Sequence, residues 1–374
     1  MNARLHSNLT TPLVLLGGLT PNAFMQRHWH KKPLLIRQAI PNMQPLVPRE
    51  QLFSWAADEA VESRLVQLKK GNWSFDKGPF DKLPPLKRPD WTLLVQSVDN
   101  LHDGLRGLLD QFRFIPDARL DDVMISYASQ GGGVGPHFDS YDVFLLQTSG
   151  RRRWRIGRQK DLSLRDDMPL KILANFEPEQ SFDLEPGDML YLPPRYAHEG
   201  VALDGDCQTY SIGFRAPSAG ELAAQLMQRM ADEVELPALF ADKSQAATDQ
   251  PALIPVALTT YAKAALHKAL ANEEMLEQML GEHLTEPGAN AWFEAAKVPK
   301  RLGAIKLHRR SRMMYDAKYV YLNGESWRTA GADARLLHKL ADARMLIASD
   351  LIAASDDMTL TLREWMAQGW LCAA

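Results

Sequence analysis

The feature that most restricts the fold is a series of short β-rich runs between residues 91 and 217. They lie at 91–98, 123–128, 143–147, 152–156, 189–192 and 209–214, cut by turns that carry Gly and Pro. Many short strands with such punctuation predict a sandwich or barrel rather than a doubly wound sheet. A helix is expected within the series at 102–112. No Gly-rich strand-to-helix fingerprint and no Walker A sequence occurs, so the nucleotide-binding folds lose their support.

The flanks have a different texture. Thr20 can cap a helix that begins at Pro21 and ends near residues 30–33. Residues 34–37 read as a strand and 47–55 as a short helix. Residues 69–89, rich in Gly, Pro, Asp and Lys, read as a long surface loop, with a lid or partner-binding role as the functional alternative. Beyond Pro217, residues 218–235, 256–269 and 273–284 carry Leu, Ala and Met at helical spacing. Between residues 216 and 300, six Lys/Arg against twelve Asp/Glu give −6, and from 301 to 374 eleven against eight give +3. The last stretch opens on a basic cluster, Lys306, His308, Arg309, Arg310 and Arg312. It continues through a hairpin turning at Asn323-Gly324. Helices are expected at 332–343, 345–353 and 360–368, the last capped by Thr359 or Thr361. This mixture is winged-helix-like. A docking role is favoured over direct nucleic-acid contact because the basic patch is short.

Composition adds exclusions. At 374 residues and about 150 residues per domain, two or three domains are expected. A content of 45% hydrophobic and 24% charged residues excludes global disorder, and a net charge of −3 excludes a uniformly basic protein. Two cysteines, Cys207 and Cys372, supply neither a disulfide scaffold nor a CxxC metal site. The apolar stretch 12–19 is too short for a signal peptide core or a membrane span, which predicts a soluble, cytoplasmic protein. The boundaries expected are 1–90 for N-terminal elements packed on the core, 91–217 for the catalytic core, 218–300 for a helical region and 301–374 for the terminal module.

The chemistry concentrates in Gly131-Gly-Gly-Val-Gly-Pro-His137-Phe-Asp139-Ser-Tyr141-Asp142. On a strand, side chains two apart share a face, so His137 and Asp139 can chelate one ion, and the glycines let the backbone turn tightly into the site. His198, after Glu185-Pro-Gly-Asp and a double Pro, is the best third ligand. Two histidines and one carboxylate leave adjacent coordination positions free, the arrangement of non-haem Fe(II) oxygenases. Arg151, Arg152 and Arg153 follow, and alternation sets Arg152 on the opposite face from its neighbours. An inward arginine suits the distal carboxylate of 2-oxoglutarate. The alternative is a solvated strand end.

These motifs resemble the JmjC family of Fe(II)- and 2-oxoglutarate-dependent oxygenases, and within it the bacterial ribosomal oxygenases. The likeness begins at Phe24-Met-Gln-Arg-His-Trp-His-Lys-Lys-Pro and runs through the strand at 121–127, the HFD segment, Gly150-Arg-Arg-Arg-Trp and Tyr210-Ser-Ile-Gly-Phe-Arg. The resemblance implies a double-stranded β-helix core of cupin/JmjC type, a helical dimerisation region and a C-terminal winged-helix-like α+β domain. It implies His137, Asp139 and His198 as iron ligands and Arg152 as the binder of the distal carboxylate. Ser126 and Ser211 become further co-substrate contacts, and Tyr141 and Asp142 candidates near the substrate. It further implies Fe(II), 2-oxoglutarate and O2 as cofactor and co-substrates, 3-hydroxylation of an arginine of ribosomal protein L16, and a homodimer. Two alternatives keep part of this chemistry. One is a JmjC hydroxylase or demethylase of another residue, such as a ribosomal histidine or methyl-lysine. The other is a ribosome-binding protein whose metal is structural, against which an open three-ligand set argues.

Overall fold

The computed structural model describes residues 9–166, 168–288 and 290–374. The chain forms two compact units. The first runs to Ala216 and includes Gly288–Glu294 and His308–Arg310; the second holds the remainder.

In chain order the first unit contains α1 (Pro21–Arg27), β1 (Leu34–Ile36), α2 (Arg49–Ala56), β2 (Ser63–Lys69), β3 (Asn72–Lys77), β4 (Trp91–Val95), α3 (Asp103–Asp110) and β5 (Leu120–Ala128). There follow β6 (Val143–Ser149), β7 (Arg152–Gly157), β8 (Gln180–Leu184), β9 (Met189–Leu192), β10 (Ala197–Ala202) and β11 (Cys207–Phe214). Eight strands form one antiparallel sheet in the order β1-β9-β6-β11-β5-β4-β2-β3, and three form a smaller one, β10-β7-β8.

Period-two alternation sorts the side chains of the large sheet between two environments. Trp91, Leu93 and Val95 on β4, Val123, Ile125 and Tyr127 on β5, and Tyr210, Ile212 and Phe214 on β11 join Leu52, Leu105, Leu108 and Leu109 of the helices in the main core. The intervening residues face the small sheet. There Val143, Leu145, Leu190 and Leu192 pack with Trp154, Ile156 and Leu184. The result is a layer of helices, a large sheet and a small sheet, with a cavity between the sheets. Thr20 caps α1, its side chain accepting from the Ala23 amide at 3.0 Å.

Three expectations are corrected here. Residues 69–89 are not wholly a loop: Lys70 and Gly71 both take positive φ, a two-residue turn that joins β2 to β3 in register Lys69↔Asn72. His137, expected on a strand, is instead in an isolated bridge with His198, which lies beyond β9 on a strand of its own, β10. The basic cluster is also less available than its sequence suggests. In the first unit, Arg309 donates to the Asn100 carbonyl and pairs with Asp103, while Arg310 donates to Asn100 and Trp292 carbonyls and lies 3.7 Å from the Trp292 ring centroid.

The second unit contains α4 (Ala219–Glu233), α5 (Val256–Leu270), α6 (Glu273–Thr285), β12 (Ile305–Leu307), β13 (Met313–Tyr315), β14 (Tyr319–Leu322), β15 (Glu325–Arg328), α7 (Gly331–Ala343), β16 (Met345–Leu346), α8 (Asp356–Ala367) and β17 (Leu371–Ala373). The hairpin turn at Asn323-Gly324 forms as expected, both residues with positive φ. Of the helix expected at 345–353, only a 3-10 turn at Asp350–Ala353 forms. Arg344 enters the left-handed region and ends α7, and Leu346 then pairs with Ile305 of β12. Ser355, not Thr359 or Thr361, caps α8, accepting from the Met358 amide at 3.1 Å. No helix among the described residues is long and apolar enough to cross a membrane.

Replacing the cap should cost about 1 kcal/mol, so Ser355→Ala is expected to lower the unfolding free energy by that amount in a urea titration. Thr361→Ala, which removes an exposed hydroxyl bonded back to the Asp357 carbonyl, should change it by less than about 0.5 kcal/mol.

Candidate metal centre and its cavity

The glycine run is an extended lane laid against β10. Gly131 N donates to Ala202 O and Ala202 N to Gly132 O; five residues on, His137 N and His198 O, and His198 N and His137 O, exchange bonds of 2.9 and 2.8 Å. Side chains cannot fit at Gly132 and Gly133 of this lane. A Cβ on Gly132 would stand 2.3 Å from the Trp91 carbonyl oxygen, and one on Gly133 would stand 2.5 Å from that of Gly200. The glycines therefore serve close backbone approach as well as turning.

The lane brings His137 and Asp139 to His198, and the candidate ligand atoms of all three lie within 4.8 Å of one another. Both imidazoles are oriented by their own backbone. The His137 Nδ1 is 3.0 Å from Gly135 O and the His198 Nδ1 is 2.9 Å from Tyr196 O. A carbonyl oxygen only accepts, so each Nδ1 carries the hydrogen and each Nε2 presents its lone pair. Burial, reinforced by the neighbouring His137, drives His198 down to about 4 and keeps it a neutral ligand. The His198 Nε2 stands 3.6 Å from the Asp139 carboxylate. The Arg195 amide donates to Asp139 O at 2.7 Å, which fixes the segment from its other side. The donor set, its tautomers and its open side fit a divalent transition metal held by two histidines and one carboxylate.

These residues line a cavity of about 470 Å3. At its closed end is Arg152, 3% exposed, whose Nε and Nη2 have no protein partner. Its neighbours behave oppositely: Arg151 pairs with Asp204 and Arg153 with Asp183 on the outer face. Arg152 is thus not part of a solvated strand end. A buried guanidinium with two unengaged N–H groups is costly unless an anion meets it, and the donor fork fits a carboxylate. Trp154 stands between, its ring 5.8 Å from both the Arg152 guanidinium and the His198 ring.

Ser126, Ser211 and Tyr141 also line the cavity. Burial and the charge of Asp139 push the Tyr141 phenol up. Asp142 does not line it, which corrects the expectation that it faces a substrate. Its carboxylate is buried on the far side, accepts from the Tyr191 hydroxyl and lies 2.9 Å from His30 Nε2. Burial raises this carboxyl, with Tyr191 and His30 opposing. The more exposed part of the cavity wall carries instead Glu62, Arg64, Gln96, Ser97, Asp121 and Asp122. The Ser97 amide and hydroxyl donate to the Asp122 carboxylate at 2.8 and 3.0 Å; burial, with Asp99 and Asp121 close by, pushes that carboxyl up to about 7. Asp122 escaped the sequence reading although parity could have found it, because positions 122, 124 and 126 of β5 share one face.

Gly133→Ala should destabilise the protein by about 1–3 kcal/mol in denaturant unfolding, since the lane and β10 would have to part. Gly205→Ala, whose Cβ would meet nothing within 4 Å, serves as the near-neutral control.

Comparison with known proteins agrees with this architecture. The JmjC domain family matches residues 107–222, and the ROXA-like winged helix family matches residues 268–372. Over 202 residues the chain is 42% identical to the ribosomal protein uL16 3-hydroxylase of Escherichia coli, a stretch that covers 53% of each protein. It is 35% identical over 215 residues to human ribosomal oxygenase 1, covering 51% of this chain and 32% of the relative. The chain thus spans about half the length of the bacterial relative and a third of the human one. Among solved structures, the Escherichia coli ribosomal oxygenase YcfD in complex with cobalt and 2-oxoglutarate has 29% identity and a TM-score of 0.82, covering 95% of this chain and 98% of that one. The same protein with cobalt and succinic acid superposes with a TM-score of 0.80. The JmjC domain family thus matches most of the cavity-bearing strands, and the ROXA-like winged helix family matches the segment that follows them.

Proposed function

We propose that the protein is an Fe(II)- and 2-oxoglutarate-dependent hydroxylase that adds oxygen at carbon 3 of an arginine in ribosomal protein L16. The observation that carries this reading is the pairing, in one cavity, of a converged His–Asp–His set with a buried arginine whose N–H groups are unengaged. The substrate comes from the uL16 hydroxylase relative, and the metal and co-substrate from the complexes of YcfD.

In this reading His137, Asp139 and His198 hold the iron and Arg152 holds the distal carboxylate of 2-oxoglutarate, with Ser126 and Ser211 beside it. Bound iron and 2-oxoglutarate with O2 supply oxidation of an unactivated C–H bond, leaving succinate and CO2. The chain itself orients and encloses. Both Nδ1–H···O=C bonds fix the ligand imidazoles before any metal arrives. Trp154 and Leu145 exclude water from the closed end. Asp121 and Asp122 receive the substrate guanidinium at the open end, with Tyr141 at its rim. A guanidinium brought beside Asp122 offsets the burial that keeps its carboxyl near 7 and returns it to the charged form.

Residues 91–217 serve as the catalytic core and 301–374 as part of the winged helix; residues 218–300 supply a homodimer contact. Helix α5 supports the last point, for it buries none of its residues and exposes Val256, Leu258, Leu266 and Leu270. A cytoplasmic location follows from a ribosomal substrate.

Four measurements test these assignments. Asp139→Ala is expected to abolish Fe(II)-dependent succinate release, and full turnover in that variant would overturn the metal assignment. Mass spectrometry of L16 from cells with and without the gene should show one added oxygen on an arginine only when the gene is present; an oxygen on a histidine elsewhere would move the substrate. Asp122→Asn should raise KM for an L16 peptide on the order of 10-fold while leaving KM for 2-oxoglutarate unchanged. For the dimer, Leu266→Glu should halve the mass seen by light scattering, and a wild-type monomer would refute it.

A further inference from the structure

Four hydroxyl-bearing side chains of the large sheet line the cavity: Thr92 on β4, Ser126 on β5, and Thr209 and Ser211 on β11. Thr209 Oγ1 donates to Gln147 Oε1 at 2.7 Å, which commits its only proton. Thr92 differs, for its side chain is 0% exposed and its Oγ1 has no hydrogen-bond partner. Strand registers put it near Arg152. Thr92 stands opposite Ala128 on β5, Ala128 packs with Ala202 and Cys207, and Ala202 stands opposite Arg152 on β7. Thr92 and Arg152 therefore reach the same closed end from the two sheets, each with a donor that no protein atom takes up.

A buried hydroxyl without a partner weakens a fold, and valine would fill the same space without that cost. The hydroxyl gains a purpose when a ligand meets it. We propose that Thr92 Oγ1 donates a hydrogen bond to the distal carboxylate of 2-oxoglutarate, alongside the Arg152 fork. This rests on the co-substrate assignment above. A carboxylate offers about four lone-pair sites, so a two-pronged guanidinium leaves room for a further donor.

Anaerobic calorimetric binding of 2-oxoglutarate to the manganese-loaded full chain tests the proposal, with melting temperatures of the unliganded proteins measured alongside. Thr92→Val is expected to raise Kd on the order of 10-fold, and Thr92→Ser to keep it within about twofold. Arg152→Ala should lose more than either. The unliganded Thr92→Val protein should melt at or above the wild-type temperature, because the substitution removes an unsatisfied group. Thr92→Val binding as tightly as wild type overturns the proposal. A fall in its unliganded melting temperature also overturns it, since that marks a hydroxyl already satisfied within the protein. Failure of the wild type to bind 2-oxoglutarate would instead bring down the co-substrate assignment, and the role of Thr92 with it.

Discussion

The alternation of side chains along antiparallel strands is the constraint on which the rest of the molecule depends. One parity of β4, β5 and β11 builds the apolar interface with the helices, and the other lines the cavity. On β7 the same rule turns Arg152 and Trp154 inward and sends Arg151, Arg153 and Arg155 out to Asp204, Asp183 and Glu199. A one-residue slip would place charge in the core and leave the cavity without its cation, so the packing of the helices and the chemistry of the site are specified together.

The two ends of the cavity are electrostatically unlike. One part of the wall holds the buried Arg152 guanidinium, and the more exposed part gathers the carboxylates of Glu62, Asp121 and Asp122 with Arg64 paired to Glu62; Asp139 is also on the wall. The buried Arg152 acts with little screening, whereas Glu62 and Asp121 are about half exposed and paired with Arg64 and Arg215. An anion is favoured at the bottom and a cation at the mouth, so the order in which two ligands of opposite charge lie along the axis is built into the walls.

Much of this was legible in the sequence where a local pattern carried it. The strands at 123–128, 143–147 and 189–192 follow from apolar runs between turns, and the inward facing of Arg152 follows from parity. Strand β10 was not legible. Its sequence, AHEGVA, has no alternating apolar signature, and it is a strand because β7 and the glycine lane pair with it from either side. β3 was hidden for a similar reason, since Lys70-Gly71 is not one of the strong hairpin dipeptides. Asp142 misled because its chemistry suited a substrate arginine, although the irregular segment after His137 turns it toward Tyr191 and His30. The capping of α8 was missed by a few residues because Ser, Thr and Asp are crowded there and any could serve; tertiary contact chose Ser355, whose hydroxyl also bonds Asp333.

The pairing of His137 with His198 has a kinetic side. These residues are separated by 61 positions, and the amide bonds between them span the intervening strands β6 to β9. Such non-local pairing is reached only after a large loss of chain entropy, so the ligand set cannot exist in a partly folded chain or in a fragment that stops before β10. A chain that ends before β10 therefore carries only two of the three candidate ligands, His137 and Asp139.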